Sequence, residues 1–99
     1  MSHYFCRLNP PRPTFARDIT DDERAIMARH AAYWRGHLDA GRVEIFGMVA
    51  DPTAPWGFLV ANVEDQAAVS ALTAKDPVMV DAHGFSYDVF PMPLGAVTR

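Results

Sequence analysis

Apolar positions along the chain recur with two different periods, and the switches between them mark the elements. Between Thr20 and Gly41, Met27, Ala31, Trp34 and Leu38 fall at spacings of four, three and four, the one-sided stripe of an amphipathic helix. Thr20-Asp21-Asp22-Glu23 has the form of a capping box, in which the hydroxyl accepts from the Glu23 amide and the carboxylate reaches back. Acids in the first turn suit the positive end of the helix dipole. Gly41 can take the left-handed conformation in which many helices stop. The pattern therefore predicts a helix over Thr20–Gly41, the longest in the chain. Ile26, His30, Tyr33 and His37 form a second stripe beside the first, so His30 is expected on the shoulder of the buried face.

Elsewhere the period is two. His3–Leu8 sets Tyr4, Cys6 and Leu8 against His3, Phe5 and Arg7, which predicts a strand. Asn9-Pro10-Pro11-Arg12-Pro13 ends it, because prolines donate no N–H and favour an extended path. The segment to Ile19 is expected to be a loop of about ten residues, long enough to suggest a functional role. Arg42–Val49 and Trp56–Val63 are the second and third strands, an antiparallel hairpin turning through Ala50–Pro55. Asp65 caps a short helix over Gln66–Ala74, with Ala68, Val69 and Leu72 inward. Lys75-Asp76-Pro77 breaks it, and Pro77–Ala82 has room for one further turn. Gly84–Phe90 alternates Phe85, Tyr87 and Val89 against Ser86 and Asp88 and is the last strand. Pro91-Met92-Pro93 is expected to close it, leaving 94–99 as a tail.

The resulting order, β-α-β-β-α-β, is that of a ferredoxin-like α+β fold, an antiparallel four-stranded sheet with two helices on one face. A sheet with one wet face should alternate cleanly. The second and third strands do not: Ile45, Phe46, Met48 and Val49, then Phe58, Leu59, Val60 and Ala61, are apolar on both sides. The helices cover only one face, so the open face calls for a second copy of the chain. A homodimer packed sheet to sheet, with twofold symmetry, is the expectation.

Composition narrows the class further. The 99 residues make one domain, 1–99, with its core over about 3–93. A net charge of −3, with no cluster of Lys and Arg, argues against a nucleic-acid partner. No apolar run approaches the ~18 residues of a membrane span, and the N-terminus lacks the form of a secretory signal. The single cysteine, Cys6, excludes an intrachain disulfide and suits a reducing compartment. A cytoplasmic protein with no membrane partner is expected.

Candidate chemistry centres on His30. On the helix alone it is a half-buried histidine; a catalytic role needs a second group from elsewhere. Asp76 is the candidate. Asp before Pro is a good N-cap followed by proline at the first helical position, which is one reading of the dipeptide. In the other, its carboxylate accepts from one ring nitrogen of His30 and raises the basicity of the other. His30 and His37 lie about 10.5 Å apart along the helix axis at ~1.5 Å per residue, too far to share an ion. No zinc-type ligand pattern occurs, so no metal and no cofactor are expected. Cys6 is expected to be core. Trp34 and Trp56 can line an aromatic ligand pocket, with Tyr33 beside them. Arg7 can receive a substrate carboxylate, while Arg12 is expected in solvent.

These residues, taken together, resemble a known family. The element order, the histidine midway along the first long helix in His30-Ala31-Ala32-Tyr33-Trp34, the Ala40-Gly41-Arg42 stop and the Asp76-Pro77 dipeptide are similar to those of YciI-like, YCII-related proteins over about residues 3 to 93. The resemblance implies a dimeric α+β barrel. It also implies a His–Asp pair as active site, falling here on His30 and Asp76, and small-molecule lyase, dehalogenase or isomerase chemistry by general acid/base steps. Arg7, Tyr33 and Trp34 are then the candidate substrate-binding residues. The rival reading is a non-catalytic dimeric module of the same fold that binds a small ligand.

Overall fold

A computed structural model describes all residues, Met1–Arg99. Strand β1 (Ser2–Asn9) is followed by a short helical turn α1 (Phe15–Asp18), the long helix α2 (Asp21–Asp39), strands β2 (Val43–Val49) and β3 (Trp56–Val63), helix α3 (Gln66–Ala74), the turn α4 (Pro77–Val80) and strand β4 (Ser86–Met92). The strands form one sheet in the order β2-β3-β1-β4, and every neighbouring pair is antiparallel. This is the ferredoxin-like arrangement, with helices packed on one face. No helix is long and apolar enough to cross a membrane.

Local chemistry fixes the helix ends. The Thr20 hydroxyl accepts from the Glu23 amide at 3.1 Å, and the Glu23 carboxylate accepts from the Thr20 amide at 2.9 Å, closing the capping box. Gly41, at φ 81°, takes the left-handed conformation just beyond α2. Asp65 caps α3 by accepting from the Ala68 amide at 2.9 Å. Asp76 caps α4, whose first residue is Pro77.

Core residues come from alternate positions. Tyr4 and Cys6 of β1, Val43 of β2, Leu59, Ala61 and Val63 of β3 meet Trp34 of α2 and Val69 of α3. Burial pushes the Cys6 thiol up to about 12, so it stays protonated, as a core residue should. Only Trp34 of α2 is fully buried. Of the predicted stripe, Met27 and Leu38 are half-buried and Ala31 is exposed, because β2 and the sheet edge leave the N-terminal half of α2 standing over a cavity.

A register shift between Val43 and Ile45 explains the double-sided apolar pattern of β2. Val43 pairs with Ala61 and Phe46 with Leu59, both helix-facing, whereas Ile45 pairs with Val60 on the open face. The bulge opposes two residues to one and so changes which face the apolar side chains serve. On the open face Phe5 packs against Trp56, Phe58 and Phe90 at centroid distances of 6.5, 6.2 and 6.3 Å. Ile45 and Phe90 there are 51% and 52% exposed.

Three expectations need correction. The segment from Pro10 to Ile19 is not a bare loop: it holds α1 and is tied to α2. The Arg12 guanidinium, expected in solvent, pairs with Asp18 at 2.7 Å and with both oxygens of Glu23 at 2.7 and 2.8 Å. Hydrogen bonds from Arg12 and from the Thr20 amide hold the Glu23 carboxyl down at about 2. Strand β4 starts later than Gly84, which sits at φ 88° in the preceding turn, and it runs through Pro91 instead of ending there. Proline is tolerated because β4 is an edge strand.

Candidate active site

His30 and Asp76 come together from α2 and the cap of α4. His30 Nδ1 lies 2.7 Å from Asp76 Oδ2 and 2.9 Å from Oδ1. The carboxylate only accepts, so Nδ1 carries the proton. Nε2 makes no hydrogen bond within the chain and is the polar atom that His30 brings to the cavity beside it.

Asp76 is 0% exposed, and a buried carboxylate must be matched by donors. It is matched heavily. Trp34 Nε1 donates to Oδ2 at 2.8 Å, and the Tyr87 hydroxyl donates to the same oxygen. The Val78 amide donates to Oδ1 at 3.1 Å. Burial alone would raise the Asp76 carboxyl. Hydrogen bonds from His30, Tyr87 and Trp34, with the charge of His30, outweigh it and hold the group below its ordinary value. Burial and the neighbouring carboxylate push the Tyr87 hydroxyl in the opposite direction, upward. Asp76 is thus a fixed anion. The N-cap and the His30 partner, alternatives in the sequence, are one side chain doing both.

His30 is 15% exposed at its side chain and forms part of the wall of a cavity of about 470 Å³. The helix face supplies Met27 and Ala31, the α1 segment Phe15, Ala16 and Ile19, and the sheet edge Phe46, Met48 and Trp56. Phe85 closes the far side and meets Phe15 edge to face at 5.3 Å. The remaining lining is also apolar, apart from His30. An imidazole with one nitrogen anchored to a carboxylate and the other facing an apolar cavity is equipped to take a proton from a bound molecule and return it. No three His, Cys, Asp or Glu side chains converge to form a metal-ligand set.

The other sequence candidates separate. Trp34 joins the site, but as a donor to Asp76 beneath it. Tyr33 donates to the Leu72 carbonyl at 2.5 Å and packs against Trp34 and His37, away from the cavity wall. Arg7 lies on the open sheet face with its guanidinium 4.5 Å over the Trp56 ring. Sequence reasoning overlooked Tyr87. Its signal was present: a tyrosine on the inward phase of a strand buries a hydroxyl that needs a partner. Phe15, Phe46 and Phe85 were unforeseen as cavity walls, since they converge from three separate segments.

The family model described as YCII-related domain matches residues 3–93. No curated protein shows significant sequence similarity. Among solved structures, the 5-chloro-2-hydroxyhydroquinone dehydrochlorinase of Burkholderia phenoliruptrix, in complex with 2,5-dihydroxybenzoquinone, is similar with a TM-score of 0.63 at 20% identity, over 88% of this chain and 90% of that one. At that identity the likeness speaks for the fold.

Proposed function

The chain belongs to the YCII-related domain family, and on that premise we propose that it is a small-molecule enzyme working by proton transfer through His30. The reaction is of the lyase, dehalogenase or isomerase type. The observation that carries this reading is the pairing of His30 Nδ1 with fully buried Asp76 at 2.7 Å, with Nε2 left to an apolar cavity. Asp76 orients the ring and stabilises the imidazolium formed when Nε2 accepts a proton; saturated by donors, it does not take that proton itself. In an elimination, His30 removes the proton and the leaving group departs with its bonding electrons. In an isomerisation, the imidazolium returns the proton to a second atom of the same molecule. The structural neighbour's name, a dehydrochlorinase, denotes the first of these classes and supports placing dehalogenation among the candidates.

We further take the working unit to be a homodimer joined through the open sheet face. Support comes from the apolar cluster around Phe5 and from two buried polar atoms there without a partner in the protomer, Arg7 Nε and Asn62 Oδ1.

The test is a panel of small halogenated, hydroxylated and lactone substrates incubated in D₂O, with exchange and product followed by NMR. Turnover of the substrate so identified should fall about 10²–10⁴-fold in His30→Ala, the usual contribution of a positioned acid or base. Undiminished turnover in that variant would sink the reading.

A further inference from the structure

The cavity beside His30 has no charge to offer an anion. Phe15, Phe46 and Phe85 give it aromatic walls, Trp56 borders it with its ring turned to the open sheet face, and no Lys or Arg lines it. The cation of the loop that forms one wall, Arg12, is held by Asp18 and Glu23. Arg7 lies on the other face of the sheet, over Trp56. The nearby start of α2 carries Asp21, Asp22 and Glu23, which oppose an anion at that helix terminus. His30 is the one lining group able to become positive, and it already faces the Asp76 carboxylate at 2.7 Å. An imidazolium there is balanced within the chain. A ligand carboxylate entering the cavity would lose its water and gain no free cation, which is costly in an apolar site. A neutral ring loses little and gains aromatic contacts. At about 470 Å³, the cavity lies in the range that encloses small organic molecules.

We propose that the site selects uncharged, ring-sized substrates and rejects their carboxylated or phosphorylated counterparts, a selectivity set by the charge deficit of its walls. This rests on the reading of His30 as a proton-transfer group and names the substrate class of that site. It also reassigns Arg7, which has no part in receiving a substrate carboxylate. Met48 is the position at which the selectivity can be reversed. It lines the cavity yet is 71% exposed, so it stands at the rim, where a long cationic side chain can keep its stem on the wall and its head in water.

The probes are 4-methylphenol and 4-methylbenzoate, which share ring and methyl group and are respectively neutral and anionic at pH 7. Each is titrated into the full chain, and binding is followed by the backbone amide shifts of the cavity-lining residues. The phenol should bind about tenfold more tightly or better, a gap of roughly 1.4 kcal/mol. Met48→Arg should close or invert that gap, while Met48→Leu should leave it. Equal or tighter binding of the benzoate to the wild-type chain overturns the proposal. So does failure of both probes to bind, or an unchanged ratio in a folded Met48→Arg protein. The proton-transfer reading fails separately: His30→Ala would then keep its turnover while the affinity ratio, which resides in the walls, stands. If the ratio collapses while turnover still depends on His30, this proposal alone is wrong.

Discussion

At the scale of single residues, Asp76 is the hinge of the structure. Its Oδ2 is shared by His30, Trp34 and Tyr87, and Oδ1 accepts from the Val78 amide. Removing one donor from a buried anion should be expensive, because bonds to charged groups contribute about 1.5–3 kcal/mol each. Tyr87→Phe is expected to lose that much stability in urea unfolding. A loss below about 0.5 kcal/mol, the range of ordinary surface substitutions, would show that the hydroxyl matters little. The variant also has a pH signature. The Asp76 carboxyl sits below its ordinary value in the folded chain, so its contribution is present above the unfolded value near 3.9 and is lost as pH falls through the folded value. Tyr87→Phe moves the folded value toward the unfolded one and narrows that window, so the acid-induced loss of stability should be smaller in the mutant and level off at a higher pH than in the wild type. His30 is one partner in this cluster: Asp76→Asn would still cap α4, since Asn caps as well as Asp, so any large effect of that change belongs to the carboxylate's bonds with His30, Trp34 and Tyr87.

At the scale of elements, the segment from Pro10 to Ile19 shows how tertiary contacts override local sequence. Arg12 clamps it to α2, and Pro11 packs on the turn before β4, where a Cβ at Gly84 would come within 2.9 Å of the Pro11 Cβ. Arg12→Ala should speed amide exchange across residues 10–19 while β1 and β3 keep their protection, and equal exchange in both proteins would mean that the clamp does not order the segment. Helix α2 was legible from Thr20, Glu23 and Gly41 because capping is a local interaction. The sheet order followed from the sequence of elements. Helix α1 was not legible: its residues have no apolar period, and its order depends on Arg12 reaching carboxylates 6 and 11 positions away. The passage of β4 through Pro91 was hidden for a related reason, since only the assembled sheet shows that β4 lies at an edge. For the site, the chemistry of His30 and of the Asp76-Pro77 dipeptide stood out in the sequence. Tyr87 and the cavity walls did not, because strand alternation gives the face of a side chain but not its partner across the fold.

At the scale of the whole molecule, the open sheet face is the surface on which the proposed homodimer rests. Its aromatic cluster is flanked by half-exposed Ile45 and Phe90, and contiguous exposed apolar surface of this kind marks interaction sites. Sedimentation should give twice the protomer mass, and Phe90→Glu should yield monomers, because a charge buried in the proposed interface would be left unpaired. A wild-type chain that sediments as a monomer at tens of micromolar would overturn the homodimer. The buried carboxylate has a consequence on this scale too. Its donors come from α2, from α4 and, with Tyr87, from the last strand. During synthesis the histidine of α2 emerges first, its counter-ion at α4 later, and the last donor only with β4. The His30–Asp76 cluster is therefore complete only after β4 has been made and docked, and a chain cut before Tyr87 would carry the imidazole without its full set of neighbours.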